Sequence, residues 1–81
     1  LDQLARTINQ IGNAIRRRRR FLKVSQEQLC QRSALRQATI SSLESGDSAA
    51  RLSTLFDVLA ALDLELVVRE RTKAPNVEDI F

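Results

Sequence analysis

Between residues 36 and 42 the chain sets out Arg36, Gln37, Thr39, Ser41 and Ser42 around the apolar Ile40. A guanidinium, an amide and hydroxyls in this arrangement can donate and accept hydrogen bonds at base edges and phosphates. Bond-breaking chemistry needs other groups. The chain has no histidine, no glycine-rich phosphate loop and no nucleophile paired with a base. Its one cysteine, Cys30, cannot close an internal disulfide and falls on an inward face as a small core residue. No enzyme activity, metal site or cofactor is expected from such a set.

These side chains need a rigid mount, and the flanking residues supply the signals for one. Ser25 and Gln28 form a capping box, in which the serine hydroxyl accepts from the Gln28 backbone N–H while the Gln28 side chain reaches back. A helix therefore starts at Gln26, with Leu29, Cys30 and Ser33 on its inward face. The apolar pattern breaks and resumes at Ile40 and Leu43, and Gly46 is placed to take the left-handed conformation that ends a helix. The spacing predicts a second short helix over 37–45, joined to the first by a tight turn and polar on its outer side.

With these residues in place, SQxxL from Ser25, the small Ala34 and QATISxLESG from Gln37 resemble the Cro/cI-type helix-turn-helix family. IGxxIRxxR at Ile11 to Arg19 and LSTLFDVLAALDLEL at Leu52 to Leu66 extend the resemblance. Within that family the last helix running into Leu-Glu-Leu-Val-Val looks most like the HipB-type antitoxins, which bind operator DNA as dimers and hold a HipA-type kinase toxin. The resemblance implies that Arg36, Gln37, Ala38 and Ser41 meet base edges. Gln37 can pair bidentately with adenine, Arg36 with guanine, and the Ala38 methyl can touch thymine. Gln26, Thr39 and Ser42 would hold phosphates, while Arg16, Arg20 and Lys23 would add attraction that ignores sequence and weakens with salt. It also implies an ion pair between Arg19 and Glu44; without that pair, Arg19 is an arginine snorkelling from the core edge. Three positions depart from the family pattern. Lys23 and Ala34 stand where relatives commonly place glycine; a non-glycine residue in the left-handed region costs about 1 kcal/mol, so either the turn differs locally or the fold tolerates that cost. Arg36 stands where relatives often place a capping serine or threonine.

Charge divides the chain in two. Residues 1–36 hold nine Lys/Arg against Asp2 and Glu27, and residues 37–81 hold four against eight Asp/Glu. A polyanion attracted to the first part would be repelled by the second, so it should approach from one side. Arg16 to Arg20 lie on consecutive helical positions and cannot all face one ligand, so some are ordinary solvated charge. Leu4, Ile8, Ile11, Ile15 and Leu22 predict an amphipathic helix from Asp2 to Leu22. Leu52, Leu55, Phe56, Leu59 and Leu62 predict a last helix with more apolar surface than one small core uses.

Beyond it, Leu64, Leu66 and Val68 alternate with Glu65, Val67 and Arg69 as in a half-buried strand. No second strand exists in the chain to pair it. The alternatives are a frayed tail and the same strand of a second copy, with Leu64, Leu66, Val67 and Val68 forming the dimer contact. Residues 1–69 are thus expected to be one DNA-binding and dimerisation domain, and residues 70–81 a flexible tail, of which Ile80 and Phe81 could dock on a partner.

The predicted fold is all-α: a compact bundle of four to five short helices with a C-terminal strand pairing across a homodimer. A domain of 81 residues buries only roughly 60–65% of its unfolded surface, which favours stability borrowed from a partner. With no apolar run long enough for a membrane and no signal-peptide pattern, a cytoplasmic protein is expected. The expected function is a sequence-specific repressor that autoregulates its operon as an antitoxin. The alternative is a stand-alone phage-type or restriction-control regulator, and a pure protein-interaction subunit is the rival outside DNA binding.

Overall fold

In a computed structural model that describes residues 2–47 and 49–71, four helices follow one another: α1 (Ile8–Phe21), α2 (Gln26–Ser33), α3 (Gln37–Ser45) and α4 (Leu52–Ala61). α3 packs against α1 and α2, and α2 also packs against α4. Ile15, Val24, Leu29, Ile40, Leu43, Val58, Leu59 and Leu62 make the buried core, with Cys30, Leu35, Leu55 and Leu64 packed against it. Each fully buried aliphatic side chain contributes about 1.5–3 kcal/mol relative to exposure. The fold is all-α among the described residues.

α1 is shorter than the apolar spacing predicts. The stripe places its start at Asp2, but the helix begins at Ile8, because Thr7 adopts an extended conformation (φ −138°, ψ 163°) and its hydroxyl accepts from the Gln10 backbone N–H at 3.1 Å. Leu4 precedes the cap and stays 55% exposed, so it belongs to no helical stripe. At the other boundaries the end signals and the backbone agree. Both halves of the Ser25–Gln28 capping box are present, and α3 runs from Gln37 to Ser45 and is capped by Gly46, which takes φ 88°.

Three of the four helices stop in the same way. After α1, Lys23 (φ 58°) donates its N–H to Arg20 O and Val24 donates to Arg19 O. After α3, Gly46 donates to Leu43 O and Asp47 to Ser42 O; after α4, Asp63 (φ 57°) donates to Ala60 O and Leu64 to Leu59 O. This double closure satisfies carbonyls that a helix end leaves open and requires one left-handed residue each time. α2 ends on a left-handed Ala34 (φ 61°). Lys23, Ala34 and Asp63 carry side chains where the conformation favours glycine.

Gly12 serves a different need. It is buried on α1, and a Cβ there would lie 2.6 Å from both Leu43 O and Glu44 O, so the backbones of α1 and α3 meet at this point.

The strand expected over Leu64, Leu66, Val67 and Val68 forms no ladder within the described residues, which contain no second strand to bond it. Leu64 is half-buried against the core, while Leu66, Val67 and Val68 are 47%, 67% and 90% exposed. The expected tail lies outside the described residues from 72 onward. No helix among the described residues is long and apolar enough to cross a membrane.

Two substitutions test this account. Gly12→Ala gains about 1 kcal/mol of helix propensity but drives a methyl into two backbone carbonyls, so a net loss of about 1–2 kcal/mol is expected in urea melts. Asp63→Gly removes left-handed strain and should stabilise by about 0.5–1 kcal/mol; an unchanged or lower urea midpoint would remove the strain argument.

Candidate nucleic-acid interface

The exposed side of α3 follows from what its other side buries. Ile40, Leu43 and Glu44 point into the protein, which leaves Gln37, Ala38 and Ser41 exposed on one outer face with Arg36 exposed at the N-cap. Arg36 makes no side-chain cap bond, so its guanidinium is not spent on the helix end. Thr39 and Ser42 are half-buried at the flanks of this face. The structure thus brings Arg36, Gln37, Ala38 and Ser41 to one surface, and this is the arrangement a major groove can accept.

Beneath that surface lies a buried carboxylate. Glu44 is 2% exposed, and Arg19 meets it with two parallel bonds: Nε donates to Oε2 at 2.7 Å and Nη2 to Oε1 at 3.0 Å. The remaining Arg19 donor, Nη1, donates to Val24 O at 3.0 Å in the turn after α1. Gln26 Nε2 donates to Glu44 Oε1 at 3.2 Å, and Arg16 Nε lies 3.5 Å from the same oxygen. Gln26 also faces outward: its Oε1 accepts a long bond of 3.4 Å from Gln37 Nε2. A chain of polar groups therefore runs from the interior to the first residue of α3.

Burial pushes the Glu44 carboxyl up, but the Arg19 hydrogen bonds, the Gln26 amide, the Arg19 charge and the Arg16 bond outweigh it and hold it below its ordinary value. The Glu44 hydrogen bonds raise Arg19 in turn, against the effect of its burial.

The arginine run divides by helical geometry. Arg16, Arg19 and Arg20 share the side of α1 that faces Glu44, and the exposed Lys23 follows at the helix end. Arg18 goes elsewhere: its Nε donates to Leu62 O at 3.0 Å at the end of α4, and its guanidinium lies 5.6 Å from the Phe21 ring centre. In the sequence Arg18 is one more member of a basic cluster, and no residue spacing marks its carbonyl partner. Gly12 and the Gln26–Glu44 bond were likewise not anticipated. For α1 a signal was present: Thr7 followed three residues later by Gln10 is a cap pattern.

The sequence model of the helix-turn-helix family matches residues 15–68. An uncharacterized HTH-type transcriptional regulator, y4dL of Sinorhizobium fredii, is 38% identical over 71 residues, which are 88% of this chain; the chain spans 36% of that relative's length. Among solved structures, a HipB variant in an O2 20mer complex is similar with a TM-score of 0.83 and 26% identity, over 89% of this chain and 100% of that one. HipB in a HipA–HipB–O2–O3 complex is similar at TM-score 0.81 and 27% identity, over 88% and 100%.

Removing Glu44 leaves Arg19 partly buried without its counter-charge, so Glu44→Ala is expected to cost about 3–5 kcal/mol, well beyond an exposed pair. The folded carboxyl titrates below its unfolded value, so its stabilisation is complete above the ordinary carboxylate range and drains away as pH falls through the lowered value. Urea midpoints measured from neutral pH to about pH 3 should fall with acid. In Glu44→Gln the Glu44 part of that fall should be missing; an identical acid limb in both proteins would show that this pair does not couple folding to pH.

Proposed function

The chain belongs to the Cro/cI-type helix-turn-helix family of DNA-binding regulators, and on that premise we propose that it represses its own operon as the antitoxin of a HipA-type kinase toxin. The observation that carries the DNA-reading part is the face of α3. Arg36, Gln37, Ala38 and Ser41 are exposed together while Ile40, Leu43 and Glu44 anchor the helix from behind. In this reading those four residues meet base edges. Gln26, Thr39 and Ser42 hold phosphates and set register, and Arg16, Arg20 and Lys23 contribute attraction that is independent of sequence.

Two copies would place their α3 helices in successive major grooves, about 34 Å apart, on a near-palindromic operator. Residues 1–69 would form the DNA-binding and dimerisation unit, with Leu64, Leu66, Val67 and Val68 at the dimer contact. The excess acidic charge of the residues after α3 would keep DNA to the side of α1 and α3, which leaves the remaining surface for the kinase. The antitoxin part is supported by likeness to HipB, one of whose similar structures is a complex that includes HipA. Such a regulator would act in the cytoplasm, without a cofactor.

The test is a gel shift with DNA from upstream of the gene at two salt concentrations, with and without a co-purifying kinase. Selective binding enhanced by that partner is the expected result. Selective binding with no partner effect would leave a stand-alone regulator, and no selective binding would return the helix pair to scaffold. Gln37→Ala should cost about 1–3 kcal/mol on the operator and little on random DNA, whereas Arg20→Ala should weaken both and flatten the salt dependence. Equal losses on both DNAs for Gln37→Ala would withdraw it from base reading.

A further inference from the structure

The segment after α4 carries a pattern that is complementary to itself. Leu64 is half-buried against the core, so in an extended segment Leu66 and Val68 share its face, while Glu65, Val67 and Arg69 fall on the other. Glu65 and Arg69 are both exposed, and so is Glu70. Two copies of such a segment related by a two-fold axis can only run antiparallel, and because paired residues share a face, one residue must then lie opposite its own copy at the axis. Which residue it is decides every cross-strand pair.

We propose that Val67 lies on the two-fold axis of an antiparallel pairing between two copies of this chain. This rests on the homodimer reading above and adds its register. With Val67 opposite Val67, each Glu65 faces an Arg69 and each Leu66 faces a Val68. One face then carries an apolar pair flanked by two opposite-charge pairs, and the other carries two apolar pairs continuous with Leu64.

Neighbouring registers lose this match. With Leu66 on the axis, Glu65 faces Val67, and Arg69 reaches only Asp63, which is committed to the left-handed turn that ends α4. With Val68 on the axis, Leu66 faces Glu70 and Val67 faces Arg69. Each alternative keeps one favourable pair, Leu64 with Val68 in the first and Glu65 with Arg71 in the second, and the central register sets Leu64 opposite Glu70; but only with Val67 on the axis do Leu66, Val67 and Val68 all face apolar residues while Glu65 faces Arg69. The exposed Leu66, Val67 and Val68, together with Phe21 at 74% exposure, border a groove of about 1250 Å³ that such a second copy would cover.

The experiment is a charge-reversal cycle read by sedimentation equilibrium on the full chain, with circular dichroism confirming intact helices. Glu65→Arg alone and Arg69→Glu alone each set like charges opposite in two symmetry-related places, and each should weaken dimerisation about tenfold. The double reversal, Glu65→Arg with Arg69→Glu, should restore it to near the unmodified value. A second measurement uses Cys30→Ala chains under mild oxidation. A mixture of Leu66→Cys and Val68→Cys chains should cross-link across the axis, whereas either alone should not. A chain that dimerises but is not rescued by the double reversal would overturn the register and leave the dimer standing. A chain that stays monomeric at every concentration would overturn the dimer reading itself.

Discussion

The fold turns on placing one carboxylate where water cannot reach it. Glu44 is an isolated negative charge at the end of the helix meant to be read from outside, and its burial is costly unless every oxygen is answered. Arg19 answers with a two-point bond from α1, Gln26 adds a donor from the first residue of α2, and Arg16, also on α1, lies 3.5 Å from the oxygen that Gln26 bonds. Three helices are therefore fixed to one another through one side chain. Gly12 makes this possible: where α1 lacks a Cβ, its backbone comes against the carbonyls of Leu43 and Glu44, which brings Arg19 within reach about two turns later. A buried ion pair of this kind gains little over an apolar replacement, but it tolerates only one geometry. For a protein that must present side chains to a groove at fixed spacing, that intolerance is useful.

The helix ends enforce the same economy of geometry. α1, α3 and α4 each stop by the paired closure around a left-handed residue, and the residue that follows the first and the last of these turns, Val24 or Leu64, is drawn to the core. The turn after α1 is held twice, because Val24 O accepts from Arg19. The side chains at Lys23 and Asp63 cost some strain, which the packing around each turn offsets. Local propensity is overridden where tertiary contacts leave the chain no other path.

Legibility in the sequence followed the range of the interactions. The Ser25–Gln28 box and Gly46 act over three or four residues, so α2 and α3 could be bounded from spacing alone. The Thr7–Gln10 cap acts over the same range but was masked by Leu4, whose apolar side chain continues the stripe without continuing the helix. Arg18 on Leu62 O and Gly12 against α3 join residues far apart in the chain, and nothing in their neighbours announces them. The Arg19 and Glu44 match came from family resemblance, since distance in the chain hides such a pair from pattern reading.

The arginine run shows how one stretch can serve two surfaces. Its members step round α1, so the face with Arg16, Arg19 and Arg20 looks toward Glu44 and α3, while Arg18 and Phe21 look toward the end of α4 and the segment beyond it. Arg19 and Arg18 are each consumed by an internal acceptor; what remains of the run for a polyanion is Arg17, Arg20, Lys23 and the exposed part of Arg16. The basic character of the first half is therefore smaller in effect than its count, because two of its arginines are bound inside the fold. Because Arg18 ties the end of α1 to Leu62, the path of the chain out of α4 is tied to the helix that also carries Arg16, Arg19 and Arg20. Any partner that grips residues 64–69 is thereby held in a fixed orientation to the exposed face of α3, which is what two copies need if their α3 helices are to reach successive grooves together.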